Sequence, residues 1–287
     1  MANTKIIENG PYDTLMRKLI NLKEFDALIE KKRKKWGGVA LLSVVGAFVC
    51  LFLGGTVFPP LFAVAAILGV VFVLSLVMYI INVRKDLDNQ KLDTAYRFVE
   101  ILGQDVPSTA NMALSIDFSA YTQGGEMLSK TGGAFSVKEK NYEHPWFKCS
   151  GSLYDGNKFE MEVVRCVKRK EKPKRKYTKV KEKMVEKAIL SLKLNTRVYP
   201  DPEQVAQNVK TGNLPHGISV SRAVGRNRTL KVAAVTPPAV IVHGRYGISG
   251  DRENLFNGDK LLGVFIDAYS GLQGARPEQP ESPPPQG

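Results

Sequence analysis

Hydrophobic residues are concentrated in two uninterrupted runs near the beginning of the chain. Residues 37–58 and residues 61–83 contain no charged side chain. Each run is about 20 residues long, and at about 1.5 Å of rise per residue such a helix crosses the bilayer core of about 30 Å. A buried core hairpin of a soluble protein is the alternative, but soluble core helices rarely continue this far without a polar face. The pattern therefore predicts two transmembrane helices, since a helix satisfies its own backbone in lipid.

The link between the two runs is too short to hold a domain. Pro59 and Pro60 lie at its centre, so the helices are expected to form a tight antiparallel hairpin whose outer ends share one side of the membrane. Arg84 and Lys85 follow the second run, and the link itself carries no charge. Five cations precede the first run: Lys31, Lys32, Arg33, Lys34 and Lys35. Because positive residues stay in the cytoplasm, the sequence predicts an integral protein of the cell (inner) membrane with both termini cytoplasmic.

Amphipathic helices are expected on both sides of the hairpin. Residues 1–36 are expected to form a basic amphipathic N-terminal helix, whose first ten residues are a loose lead-in. Residues 84–103 continue the second span as a juxtamembrane helix with one apolar stripe. Lys91 and Arg97 are expected on the solvent side of this helix, where both should tolerate charge reversal.

The periodicity changes from helical to strand-like over residues 104–272. Apolar and polar residues alternate in short segments, and Asp155-Gly156-Asn157 is a hairpin signal between two of them. The candidate strands are 112–118, 146–154, 158–164, 188–199, 218–224, 229–235 and 239–242. No strand–helix–strand alternation is visible, so a small barrel or sandwich of mainly antiparallel strands is expected. With a helix over 259–272, the fold class is an α+β membrane protein.

Three segments of this region have different characters. Residues 177–189 fit a strand or a short helix equally well. Residues 273–287 are rich in proline and are expected to be a disordered tail. Residues 168–187 form the strongest cluster of basic residues, and Pro173 in its middle favours a solvated loop between two strands.

Charge suggests an anionic partner for the predicted cytoplasmic domain. The chain has 41 basic and 28 acidic residues, a net charge of +13. A membrane anchor keeps the domain near anionic headgroups, which attract lysine and arginine by about 1 kcal/mol each. Nucleic acid is less favoured because Tyr177 is the one aromatic residue among the clustered cations. The expected contact residues are the five cations before the first span together with Lys172, Lys174, Arg175 and Lys176.

No catalytic signature is present in the sequence. Cys149 and Cys166 lack the CxxC spacing of a zinc site, although a disulfide across a hairpin is an alternative for them. His144, His216 and His243 have no ligand-like spacing, and neither a P-loop nor a G-x-S-x-G elbow occurs. We therefore expect no catalytic residue, metal or cofactor, and a protein that is not an enzyme.

Two functions follow from this arrangement. The first is a scaffold or binding module held at the membrane face, with protein partners or further copies of the chain in a larger assembly. The alternative is a ligand-gated effector, in which Arg222, Arg226 and Arg228 bind a small nucleotide-like anion and binding drives the hairpins to cluster.

Overall fold

The computed structural model divides the chain into two compact units. One unit contains Lys18–Asp88, and the other combines Thr4–Arg17 with Asn89–Gly287. The structure describes residues 5–56, 59–132, 136–195, 198–199, 202–209, 212–214, 217–244, 247–250 and 252–273. The predicted disordered tail, apart from its first residue, and His216 lie outside the described residues.

The first unit is built from two long apolar helices, as the sequence predicts. These are α1 (Tyr12–Thr56), whose first residues belong to the second unit, and α2 (Leu61–Lys85). Both helices are long and apolar enough to cross a membrane, and only 11% of the most apolar stretch of each is buried. A core helix of a soluble protein would be mostly buried. Small residues such as Ala40 and Ala65 are buried, whereas Phe48 and Phe52 are each 73% exposed. This distribution suits helices surrounded by lipid.

The second span does not continue into the juxtamembrane helix. Helix α2 ends at Lys85, Asp86 is extended at ψ 129°, and α3 (Asn89–Leu102) begins after three residues. Asp and Asn favour helix caps over helix interiors, which explains the break. Asp86 also forms an ion pair with Arg33, and the amide of Leu87 donates to Asp26 Oδ1 at 3.0 Å.

The second unit contains an antiparallel sheet of eleven described strands. They are β1 (Lys5–Pro11), β2 (Asn111–Asp117), β3 (Glu126–Thr131), β4 (Lys138–Ser152), β5 (Lys158–Pro173), β6 (Thr178–Lys193), β7 (Gly212–Asn213), β8 (Ser219–Arg226), β9 (Thr229–Val235), β10 (Ala239–Gly244) and β11 (Gly247–Gly250). The remaining helices are α4 (Tyr121–Gly124), α5 (Pro202–Asn208) and α6 (Gly258–Gln273).

The sheet has two parts because three of its strands are unusually long. The strand order is β1-β2-β4-β5-β6-β9-β8-β7, with β3 added to β4 and β10 and β11 added beyond β6. Strands β4, β5 and β6 have 15 or 16 residues each and extend past β2 and β9. We call the extension the arm: residues 138–145, 165–173 and 178–186 with β3, β10 and β11. The rest of the sheet is the head. A bulge between Pro145 and Phe147 lies where the two parts meet.

One face of the sheet carries the core. In the head it packs against α3 and α6, where the Phe98 and Phe147 rings meet edge to face at 5.5 Å. In the arm a second cluster is formed by Val167, Met184, Ala239, Ile241 and Leu255. Side chains on the other face are half-buried or exposed. The described strands close no barrel and form one open sheet. The expectation of a barrel or sandwich is wrong because helices cover the apolar face.

Two loop predictions are also wrong. The lead-in contains β1, which pairs with β2 from Lys5 opposite Asp117 to Pro11 opposite Asn111. Residues 168–187 form most of a regular hairpin, with only four residues between β5 and β6. Pro173 ends β5 at the last register position, so it does not interrupt the pairing. The segment 177–189, which fitted two structures, is therefore mostly strand.

Other local signals are confirmed. Asp155-Gly156-Asn157 turns the chain between β4 and β5, with Gly156 at φ 80°. A further tight turn of two residues connects β8 and β9, with Asn227 at φ 49° and Arg228 at φ 64°. Positive φ at both positions matches the twist of the flanking strands. The expected helix at 259–272 is α6.

Candidate functional site

The long β5–β6 hairpin separates its charges by face. In an antiparallel pair, residues directly opposite each other lie on the same face and alternate residues lie on opposite faces. Three successive lysine pairs are opposite each other on the open face of the arm. They are Lys168 and Lys183, Lys170 and Lys181, and Lys172 and Lys179. All six are exposed, and we call them the lysine face.

Among the described residues, an acidic side chain neutralises the lysine face only at the end nearer the head. Glu139 on β4 forms ion pairs with Lys168 and, at 2.9 Å, with Lys170 Nζ. Hydrogen bonds from these two lysines, Lys168 first, lower the pKa of Glu139. The other four lysines form no ion pair within the described residues. Like charges directly opposite each other destabilise a sheet, so this part of the hairpin is costly for folding.

The loop at the tip of the hairpin extends the lysine face. Residues 174–177 connect the strands, and the amide of Lys174 donates to the carbonyl of Tyr177 at 2.8 Å. Lys174, Arg175 and Lys176 are exposed. The structure therefore brings the predicted contact residues Lys172, Lys174, Arg175 and Lys176 together at one end of the arm.

The opposite face of the arm holds paired charges. Glu182 accepts hydrogen bonds from Tyr121 Oη and, at 3.2 Å, from an Arg169 terminal nitrogen. Arg169 Nε also donates to Glu171 Oε1 at 2.8 Å, and Lys140 Nζ to the same oxygen at 3.1 Å. Burial raises the pKa of Tyr121 to about 12, and the neighbouring Glu182 adds to the shift. Acidic residues thus neutralise cations on this face, which carries the core and which we call the inner face. The open face, which we call the outer face, keeps its excess positive charge.

A buried carboxylate fixes the arm where it joins the head. Glu186 is fully buried, and its Oε1 accepts from Trp146 Nε1 at 2.9 Å and from Arg165 Nε at 2.8 Å. Its Oε2 accepts from the amide of Phe256 at 2.7 Å. Both carboxylate oxygens are therefore satisfied by groups from two strands and from the segment before α6. No local pattern in the sequence predicts this cluster, because its members are far apart in the chain.

Lys91 contradicts the expectation from the sequence. It is only 1% exposed, and its Nζ donates to the carbonyls of Asp117 at 2.8 Å and Ser119 at 2.9 Å. Arg97, expected on the same solvent side, is exposed and pairs with Glu100 and Asp259. The buried side of α3 is thus wider than its apolar stripe, and charge reversal at Lys91 is no longer expected to be tolerated.

His144 is buried beside Lys91. Its Nε2 lies 3.4 Å from Asp117 Oδ2, a long separation for a hydrogen bond, and its side chain is fully buried. Burial and the nearby Lys91 ammonium lower the pKa of His144, and they outweigh the opposing effect of Asp117. A neutral imidazole enclosed in this way is part of the packing between the arm and the head.

The cations before the first span lie in the other unit. Arg33 pairs with Asp86, and Lys34 Nζ with Glu30 Oε1 at 2.9 Å. Lys31, Lys32 and Lys35 are exposed, without an ion pair among the described residues. They belong to α1, immediately before its uncharged part.

The three arginines of the predicted ligand site lie at the far end of the head. Arg222 lies opposite Ala233 and Arg226 opposite Thr229, which places both on the open face of the sheet. Arg228 is in the turn that follows. Lys193, at this end of β6 opposite Thr229, is separated from Lys179 by roughly 46 Å of strand at about 3.3 Å per residue. The three arginines are exposed and do not enclose a cavity, although Arg226 borders a shallow groove of about 290 Å³.

Cys149 and Cys166 do not form the disulfide that the sequence allows as an alternative. All three are free thiols, and Cys149 lies opposite Met161 while Cys166 lies opposite Glu143. Burial raises the pKa of the Cys149 thiol to about 12. Within the described residues, no group of three or more His, Cys, Asp or Glu side chains is placed to hold a metal ion.

Comparison with known proteins adds no relative. No protein-family model matches the chain, and neither a curated protein nor a solved structure is significantly similar to it.

Proposed function

We propose that this chain is an integral membrane protein that presents the lysine face as a non-enzymatic binding module for anionic lipid headgroups. The observation that carries the proposal is the three opposed lysine pairs on one exposed sheet face. Four of these six lysines lack an acidic partner among the described residues, so their charge is available to an external anion. The opposed lysines weaken the sheet, and a requirement for anion binding explains their presence.

The short connection between α2 and α3 supports an anionic lipid surface as the binding partner of the lysine face. Only three residues separate the end of α2 from α3, the first helix of the β domain. Three residues span at most about 11 Å, so the covalent tether between the membrane helix and the β domain is short. At about 1 kcal/mol per lysine near an anionic leaflet, four uncompensated lysines supply a substantial attraction.

Orientation follows from the cations that flank the spans. Lys31, Lys32 and Lys35 before the first span, and Arg84 and Lys85 after the second, favour a cytoplasmic position for both outer ends in the inner membrane. Presented there, the domain serves as a scaffold at the membrane face, with protein partners or further copies of the chain. The open face of the arm has no aromatic residue within the described residues, which favours lipid over single-stranded nucleic acid.

The ligand-gated effector has weaker support. Arg222, Arg226 and Arg228 are exposed, and of these three only Arg226 lines a described groove. The scaffold is therefore the function that we propose.

Lipid contact can be measured on the full-length protein in nanodiscs. A Lys176→Cys variant in a Cys166→Ser background carries a fluorophore at the tip of the arm. Nanodiscs contain phosphatidylcholine alone or with phosphatidylserine, and a trace lipid bears a headgroup quencher. We expect stronger quenching with phosphatidylserine, fading toward 1 M salt, where the Debye length is about 3 Å.

Charge reversal provides the matched comparison. Lys172→Glu with Lys179→Glu should abolish the dependence on phosphatidylserine, whereas Lys231→Glu in the head should leave most of it. Equal quenching in the two kinds of nanodisc would contradict the lipid proposal. Orientation is tested separately: an impermeant thiol reagent outside intact cells should not modify the same Lys176→Cys variant, and modification would invert the assigned topology.

A further inference from the structure

The open face of the head contains a polar groove at the end remote from the arm. It has a volume of about 530 Å³. Two adjacent cross-strand rows form its floor. One row contains Asn9, Ala113, Ser150, Glu160 and Ser191, and the other contains Ser152, Lys158, Lys193 and Thr229, while Asn111 on β2 also lines the groove.

The residues of this groove are unusual for exposed strand positions. Asn and Ala are depleted in strands, where β-branched and aromatic side chains pack better. Three of the lining side chains, those of Ala113, Ser150 and Ser191, are small and leave room above the sheet. The composition therefore weakens the sheet locally and provides a concave polar surface.

Hydrogen-bonding groups in the groove are free to bind a ligand. Within the described residues, the side chains of Asn9, Asn111, Ser150, Ser152 and Ser191 have no hydrogen-bond partner. Amides and hydroxyls both donate and accept, so together they match a ligand that carries several hydroxyl groups.

The charge of the groove favours an anionic group on the same ligand. Lys158 and Lys193 lie directly opposite each other, and neither forms an ion pair in the described part of the chain. The carboxylate in the groove, Glu160, is already paired with Lys148, whose Nζ lies 2.6 Å from Oε1. Two adjacent ammonium groups without an acidic partner suit a phosphate.

We propose that the head groove binds a phosphorylated polyol, with Lys158 and Lys193 on the phosphate and the Ser and Asn side chains on the hydroxyls. This site is distinct from the lysine face and does not depend on the lipid proposal. The same chemistry occurs in soluble sugar phosphates and in the headgroup of phosphatidylinositol, and the experiment separates these two sources.

Calorimetry on the full-length protein in phosphatidylcholine nanodiscs tests the soluble source. The probes are myo-inositol 1-phosphate, myo-inositol and inorganic phosphate. We expect saturable binding of the phosphorylated polyol that is tighter than that of either fragment. In a second arm, phosphatidylinositol in the nanodisc should compete with the soluble probe if the headgroup reaches the groove; absence of competition assigns the site to soluble ligands.

Two variants probe the two halves of the groove. Lys193→Met should weaken binding by about tenfold through loss of a charge-assisted contact. Ser150→Val with Ser191→Val keeps both lysines and suits a strand, and it should remove the preference for myo-inositol 1-phosphate over inorganic phosphate. Lys130→Met, on β3 of the arm and outside both the lysine face and the groove, is the matched control and should leave this binding unchanged.

Three results would overturn the proposal. They are no saturable heat up to about 10 mM probe, binding that Lys193→Met leaves unchanged, and equal affinity for inorganic phosphate in the wild-type protein. None of them affects the nanodisc quenching assay at the arm, so the groove and the lysine face succeed or fail independently.

Discussion

The two faces of the β5–β6 hairpin are made by alternate residues of the same strands, yet they treat charge in opposite ways. On the inner face, Glu182 and Glu186 pair with Arg169 and Arg165 in buried or half-buried positions. On the outer face, lysine is opposite lysine and mostly lacks an acidic partner among the described residues. The comparison teaches that the number of charges in a segment says little until each charge has been assigned to a face.

Both faces weaken folding in some respect, but for different physical reasons. Burying the Glu186–Arg165 pair requires removing both charges from water, which good geometry and the additional hydrogen bonds to Glu186 offset. The lysine face requires no desolvation, because its cost is mutual repulsion in water. Substitutions should therefore have large effects on stability at the inner face and small effects at the outer face.

The largest effect is expected at Glu186. Glu186→Gln keeps the shape of the side chain but removes the buried negative charge that pairs with Arg165 at 2.8 Å, which should destabilise the domain by about 3–5 kcal/mol. Glu162→Gln, on the open face of β5, is the matched control and should change stability by less than about 0.5 kcal/mol. Urea unfolding of the full-length protein in nonionic detergent, followed by tryptophan fluorescence, measures both. Similar values for the two variants would remove the distinction between the faces.

Lys91 provides the next largest effect. Lys91→Met removes two charge-assisted hydrogen bonds to the carbonyls of Asp117 and Ser119, and should cost about 2–3 kcal/mol. Arg97→Met on the same helix loses only exposed ion pairs and should cost about 0.5 kcal/mol. The same unfolding assay applies, and equal tolerance of both substitutions would restore the interpretation made from the helical stripe.

A smaller, pH-dependent effect is expected at His144. Its pKa in the folded protein is lowered, so the unfolded chain binds the proton more tightly. The associated stability is present above the unfolded pKa of about 6.5 and is lost as pH falls below it. The unfolding temperature should therefore decrease more steeply from pH 7 to pH 5 in the wild-type protein than in His144→Gln. Parallel pH profiles would show that His144 titrates normally.

The smallest effect is expected on the lysine face, and its sign is reversed. Lys181→Glu places a carboxylate opposite Lys170 and should stabilise the domain by about 0.5 kcal/mol while reducing its contact with anionic lipid. Lys181→Gln removes the repulsion with Lys170 without adding a carboxylate, so it separates the loss of repulsion from the new attraction. Loss of stability in Lys181→Glu, with lipid contact unchanged, would argue that the lysine pairs serve the fold and not binding.

Local patterns were sufficient for part of this architecture. Two uncharged runs predicted two long apolar helices, and Asp155-Gly156-Asn157 predicted a hairpin, because both signals depend on neighbours in the chain. The same reasoning failed over residues 168–187, where dense lysine concealed a regular alternation. Val167 and Met184, which reveal that alternation, become informative only when paired across the hairpin.

The candidate sites show the same limit. The sequence grouped the cations that the structure places at the tip of the arm, and it grouped Arg222, Arg226 and Arg228, which the structure places on the open face of β8 and in the turn that follows. It gave no indication of the head groove, since Asn9, Ser150 and Ser191 are ordinary polar residues until three distant strands bring them together.

By itself, the sequence determined where long apolar helices occur, where turns occur and how basic the chain is, because these depend on composition and short-range periodicity. Only the tertiary structure decided that Lys91 and Glu186 are buried, that one open sheet replaces a barrel, and that six lysines share a face. The physical reason is that burial and pairing depend on strand register between residues far apart in the chain, and register is settled by the packing of the whole sheet against its helices.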